Sequence, residues 1–229
     1  MNFLKRPLPV LMYHRVNSTQ DSTLTVSPET FAKQISWLRK KGFKFLSLDQ
    51  AVQLPKTFAW DRSVSLTFDD GFLDNYENAF PVLIQHKIPA ALFVVVNWVG
   101  QKDYVNWDQI RELDRSGILI GSHSLTHRWL PDIKDDSELQ SEVADSKKRI
   151  EGEIGKEVRY FSYPVGGVDG RVLKKVQDSG YRNAWVAGAR PSLRLIDPSY
   201  CLRRFKVTPS DSSLSHFSVK AYGLKALLW

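Results

Sequence analysis

Three short runs in this 229-residue chain hold acidic, imidazole and turn-forming groups that could act together. The first is Thr67-Phe68-Asp69-Asp70-Gly71. Successive side chains of a strand point to opposite faces, so adjacent carboxylates at a strand end take different tasks: one can hold a cation while the other stands beside it as a base. Gly71 lets the backbone turn sharply, although Asp-Asp-Gly is also an ordinary acidic turn. The second run is His123-Ser-Leu-Thr-His127. Its i, i+4 spacing predicts two imidazoles on one side of a helical turn, suited to Zn²⁺ or a similar ion. With one carboxylate added, such a set leaves a coordination position open, as a catalytic centre requires. The third, Arg159-Tyr-Phe-Ser-Tyr163-Pro164-Val165-Gly166, runs a strand into a turn whose backbone N–H could serve an oxyanion. His14, in Tyr13-His14-Arg15-Val16, ends the first expected strand and could act as a general acid tuned near neutral pH. Taken singly, each run also fits a plain turn, a polar strand end or two unrelated histidines.

The elements that must position these groups alternate. Strands are predicted at 10–13, 43–46, 63–68, 90–96, 118–122, 158–163 and 181–187. Ser27-Pro28-Glu29 reads as the cap and first turn of a helix to Lys41, with Gly42 past its end. Further helices are predicted at 47–54, capped by Ser47, and at 73–86, 107–116 and 170–179. Ser137-Glu-Leu-Gln140 reads as a capping box for a long helix to Ile154. The last forty residues show no clear pattern. Such alternation predicts parallel strands wrapped by helices. Neither a Gly-x-Gly-x-x-Gly turn nor a phosphate loop supports a nucleotide-binding sheet. His14, Asp69, Asp70, His123 and Pro164 all fall at strand ends, where a β/α barrel builds its site. The expected fold is such a barrel, one domain over 1–229.

Composition bounds the rest. With 42% apolar residues and a mean hydropathy of −0.31 the chain can bury a core and is not disordered. The longest apolar run, Ala90 to Val96, is far below the roughly 20 residues that cross a bilayer. The first residues do not read as a signal peptide. A single cysteine, Cys201, excludes an internal disulfide and a Cys-based metal cluster. A cytoplasmic or membrane-peripheral protein is expected. Lys and Arg exceed Asp and Glu by 7, and residues 147–206 hold 14 basic against 6 acidic groups, leaving −1 elsewhere. That segment is a solvated basic face or attracts an anionic partner, such as acidic polysaccharide or lipid head groups. Nucleic acid is disfavoured, because no compact Lys/Arg run or binding motif stands in the chain.

The Thr-Phe-Asp-Asp-Gly, His-Ser-x-x-His and Phe-x-Tyr-Pro-x-Gly elements, in this order and spacing, resemble the polysaccharide deacetylases (the NodB-homology domain, carbohydrate esterase family 4) over roughly residues 9–187. The resemblance implies a distorted (β/α)7-8 barrel that hydrolyses N-acetyl groups from amino sugars of a polysaccharide or oligosaccharide. It implies a divalent metal, Zn²⁺ first and Co²⁺ or Ni²⁺ as alternatives, held by Asp70, His123 and His127. Asp69 would be the general base toward a metal-bound water. The metal and the Val165 N–H would stabilise the oxyanion, and a histidine would protonate the departing amine. Many members tether the base with an arginine two residues before this proline. Here that position is Ser162, so a tether is expected from elsewhere, Arg159 for one, or not at all. The family's late Leu-x-His acid has a literal match in Leu214-Ser-His216, without the usual upstream Asp-x-x-Asp-Trp element. A branch resembling the biofilm poly-N-acetylglucosamine deacetylases draws its acid from an N-terminal Tyr-His strand end. Tyr13-His14 matches that arrangement, so His14 is preferred to His216. Tyr163, Pro164 and Trp129 would meet the sugar. A lipid-linked substrate at a membrane surface would suit the basic segment. The alternatives are a deacylase or deformylase of another amide, or a non-catalytic sugar-binding barrel.

Overall fold

The computed structural model describes residues 8–19, 22–53, 62–187 and 198–224. In chain order its elements are β1 (Val10–Tyr13), β2 (Arg15–Val16), β3 (Thr25–Val26), α1 (Pro28–Lys40), β4 (Lys44–Phe45), α2 (Leu48–Gln53) and β5 (Ser63–Phe68). Then come α3 (Phe80–Gln85), β6 (Ala91–Val94), α4 (Trp107–Arg115), β7 (Leu119–Ser122), α5 (Asp136–Gln140) and α6 (Ser146–Ile154). The chain continues with β8 (Tyr160–Ser162), α7 (Gly170–Asp178), β9 (Asn183–Ala187), β10 (Leu202–Lys206) and α8 (Leu214–Ala221). The expected end of the second helix, Leu54, lies outside the described residues.

The main sheet runs β1-β10-β9-β8-β7-β6-β5-β4, and β1 also pairs with β5, so seven strands close on themselves. β1 and β5 pair in parallel from Val10↔Ser65 to Tyr13↔Phe68. β9 is parallel to both β8 and β10. This is the distorted parallel (β/α) barrel that the alternation predicts. All four residues of β1 and of β6 are buried, as strands covered on both faces require.

The chain divides into two compact units, Met1–Phe68 with Asp74–Ala91 and Phe205–Trp229, and Asp69–Leu73 with Leu92–Arg204. In the first, Tyr13 stacks on Phe68 and meets Phe31 edge-on, both at 5.3 Å. Phe31, Ile35 and Leu38 of α1 recur at helical spacing and are buried. Ser27 caps this helix as expected, its side chain accepting from the Thr30 N–H. In the second unit Trp185 packs at 6.0 Å from Phe93 and edge-on to Tyr160 at 5.0 Å.

Three elements differ from expectation. The helix foreseen over 73–86 is a π-helical turn, Asn75–Ala79, followed by α3. Pro81 near the start of α3 has no N–H to donate four residues back, so the α ladder cannot run through it. The long helix is capped by Asp135, whose carboxylate accepts from the Glu138 N–H, and not by Ser137. It also carries a π-helical turn at Ser141–Asp145. Finally, β10 and α8 occupy the C-terminal stretch that showed no pattern. Leu202-Arg-Arg-Phe-Lys carries three cations in five residues, which hides a strand from an apolar count.

Candidate active site

Asp69, Asp70, His123 and His127, with Ser162 and Arg204, all belong to the second unit. Immediately after β5 the backbone turns left-handed twice, at Asp70 (φ 75°) and Gly71 (φ 81°). A Cβ on Gly71 would also stand 3.4 Å from Val94. The turn is pinned by the Val105 N–H on the Gly71 carbonyl at 3.0 Å and the Leu73 N–H on the Asp103 carbonyl at 2.9 Å. The two aspartates therefore diverge. Asp70 Oδ1 stands 3.4 Å from His123 Nε2 and 3.3 Å from His127 Nε2. Asp69 meets the buried Arg204 of β10: Nη1 donates to Oδ1 at 2.6 Å and Nη2 to Oδ2 at 2.7 Å. Arg204 Nη2 also donates to Ser162 Oγ at 2.7 Å, and that hydroxyl donates onward to Asp69 Oδ2 at 3.2 Å.

The histidine pair does not sit on a helical turn. His123 follows β7, and the chain then loops with Ser124 (φ 68°) and His127 (φ 65°) left-handed. Ser124 Oγ accepts from the His127 N–H at 3.0 Å. Glu142 accepts from the Leu125 and Thr126 N–H groups, each at 3.0 Å, and from the Thr126 hydroxyl. A loop strapped to Glu142 thus does what the spacing assigned to a helix. His123 Nδ1 lies 2.7 Å from the Ser162 carbonyl. A carbonyl only accepts, so Nδ1 carries the hydrogen and Nε2 presents its lone pair beside Asp70. Burial alone would lower the His123 pKa. The Asp69 charge, the hydrogen bond and charge of Asp70, and the Ser162 carbonyl outweigh it and hold it above its ordinary value. The His127 ring packs 5.0 Å from Trp98.

One ligand atom each from Asp70, His123 and His127 lies within 4.8 Å of the others. The set fits a divalent transition ion: two imidazole nitrogens and one carboxylate oxygen converge, with one imidazole tautomer set by its carbonyl partner. Two of these three candidate ligand residues, Asp70 and His127, occupy left-handed backbone, a strain of about 1–3 kcal/mol each that the surrounding bonds must hold.

The third motif brings Val165 into the left-handed region (φ 54°, ψ 10°) while leaving it 65% exposed. For a β-branched residue that conformation is an outlier of the kind that clusters at functional sites. Trp129 is 44% exposed and lies across Gly167, where a Cβ would come within 2.8 Å of its ring. Tyr163 is buried, edge-on to Phe161 at 5.3 Å, and burial pushes its phenol pKa up. Its ring belongs to the packed interior and Pro164 is buried too, whereas Trp129 is accessible from solvent. His14 directly follows β1 in the first unit and is partly buried. His216 is exposed on α8, its Nδ1 3.2 Å from the Ser210 carbonyl. Arg159 lies over the Tyr160 ring at 5.5 Å. The cation on Asp69 is Arg204, which sequence reasoning missed. Its signal was the serine at 162: a buried aspartate without the arginine common in the family calls for a guanidinium on a neighbouring strand.

The polysaccharide deacetylase family model matches residues 59–184. The chain belongs to this family. It is 32% identical over 208 residues to YxkH of Bacillus subtilis, covering 90% of this chain and 73% of that one. It is 27% identical over 195 residues to the poly-β-1,6-N-acetyl-D-glucosamine N-deacetylase of Staphylococcus aureus (strain MRSA252), covering 79% of this chain and 66% of that enzyme. The structure of IcaB from Ammonifex degensii matches with a TM-score of 0.79 at 27% identity, covering 95% of this chain and 97% of that one.

Proposed function

We propose that this chain is a metal-dependent N-deacetylase of N-acetylated amino-sugar polymers, with β-1,6-linked N-acetylglucosamine as the substrate to test first. One observation carries the reading: a two-histidine, one-carboxylate cluster stands beside a second, buried aspartate that is held separately by Arg204 and Ser162. The likeness to the Staphylococcus aureus enzyme supports the choice of sugar. Asp70, His123 and His127 would hold the ion, Zn²⁺ first and Co²⁺ or Ni²⁺ next. When bound, such a cation polarises an amide carbonyl and acidifies water.

Asp69 is the general base that takes the proton of the attacking water. A carboxylate has about four acceptor sites, so the bonds from Arg204 and Ser162 orient it without using up its capacity to accept a proton. Negative charge then grows on the carbonyl oxygen, where the Val165 N–H donates. His14 gives a proton to the departing amine, without which the C–N bond cannot break to a neutral product. Trp129 stacks on a sugar ring while Tyr163 and Pro164 support the loop beneath. The net charge of +7 supports a membrane-peripheral place of action on a lipid-linked precursor. Equal rates on free and vesicle-bound substrate would sink that last point.

The deciding experiment measures acetate released from β-1,6-linked N-acetylglucosamine oligomers by zinc-loaded protein, with Asp69→Asn beside it. Release by wild type and none by the variant is the expected result. A zinc-loaded wild type that releases no acetate overturns the proposed substrate and points to another amide.

A further inference from the structure

We propose that Asp74 is a positioning residue for His14: its carboxylate grips the three residues that follow His14 and so fixes the strand end that carries the imidazole. The proposal rests on the reading of His14 as the acid. The buried Asp74 accepts from the Val16 N–H at 3.0 Å through Oδ1, and from Asn17 Nδ2 at 2.6 Å and Arg15 Nη1 at 3.3 Å through Oδ2. One turn further on, Asn78 Nδ2 donates to the Val16 carbonyl at 2.7 Å. Positions four apart on a helical turn share a face, so both side chains meet the same stretch of chain.

On the other side of His14 the backbone is locked by β1, whose last rung pairs Tyr13 with Phe68. His14 is thus anchored on both sides, at residue 13 by the sheet and at residues 15–17 by Asp74, leaving mainly its side-chain torsions to move. A proton donor has to be held to within a fraction of an ångström and about 10–20° to be effective. Asp74 is also only four residues after Asp70, so one short run of chain carries a metal ligand and the grip on the acid. A buried carboxylate is a costly latch, and an uncharged one would often be as stable. Retention of the charge fits a group that must hold three donors at once.

The test compares two substrates with the zinc-loaded full chain. An N-acetylglucosamine oligomer needs a proton on its leaving amine; p-nitrophenyl acetate does not, because its phenolate leaves unaided. Asp74→Asn should lower kcat on the oligomer by roughly 10- to 100-fold, part of what a general acid contributes, with KM nearly unchanged. Its ester hydrolysis should stay within about twofold of wild type, and the same split should mark His14→Ala. The double variant should be no slower than His14→Ala alone. Should Asp74→Asn fail to fold, Asn17→Ala removes the shortest of the three bonds and should show the same split in milder form. Equal loss on both substrates, or multiplying losses in the double variant, reduces Asp74 to a structural latch and overturns the proposal. A selective loss in His14→Ala with none in Asp74→Asn also overturns it, and leaves the His14 reading standing. An undiminished oligomer rate in His14→Ala removes both.

Discussion

Asp69 and Asp70 are neighbours in sequence and take different partners, because the left-handed turn at Asp70 and Gly71 points one carboxylate at Arg204 and the other at the histidines. A carboxylate buried against a guanidinium depends on it. Removing Arg204, as in Arg204→Met, should cost about 3–5 kcal/mol, because it leaves a buried charge uncompensated. Urea unfolding measures the loss. Arg204→Lys keeps the charge but cannot span both oxygens, so it should recover part of the stability and little of the acetate release. At Asp74, burial is the largest influence and raises the carboxyl pKa, against the opposing bonds from Val16, Asn17 and Arg15. The folded state therefore keeps the proton to higher pH than the unfolded state does. Stability from this group is present at low pH and lost as pH rises from about 4 through the raised value. The difference in unfolding free energy between wild type and Asp74→Asn should fall over that window and then level off. A rising difference would contradict the direction of the shift.

At the scale of elements, the loop from Ser124 to His127 is shaped by Glu142 and not by a helical repeat. Glu142→Ala strands two backbone N–H groups and frees the loop that carries His127, one of the proposed metal ligands. Zinc affinity should drop about 10- to 100-fold, as for other supports of metal ligands, and chelator competition reads it directly. Gly167→Ala would push its methyl into the Trp129 ring. The expected result is a raised KM for oligomers, with zinc affinity unchanged. These elements also mark how far sequence could reach. β1 and β5 lie where their apolar spacing placed them, residue for residue, and the aspartates and histidines sit at strand ends as expected. Spacing cannot encode a positive φ, so the convergence of His123 and His127 was foreseen for the wrong geometric reason. β10 was illegible because its cations mask the strand, and Arg204 went with it. The substitution of Ser162 for the family's arginine makes sense only once β8 and β10 are both known to flank β9.

For the whole molecule, a ligand that binds the native state alone adds stability by mass action, about 2.7 kcal/mol when its concentration is a hundred times Kd. Chelation should therefore lower Tm in wild type and leave Asp70→Asn nearly unmoved. Tm identical with and without zinc would argue against the proposed ion site. The position of Arg204 also has a consequence in time. It lies 135 residues after Asp69. On the ribosome His127, the last of the three residues proposed to hold the ion, is translated long before the guanidinium that binds Asp69. For dozens of elongation cycles a nascent chain holds Asp70, His123 and His127 while Asp69 still lacks the cation that binds it. On the proposed reading, hydrolytic competence would thus wait for that one late strand, after the residues proposed to hold zinc have been made.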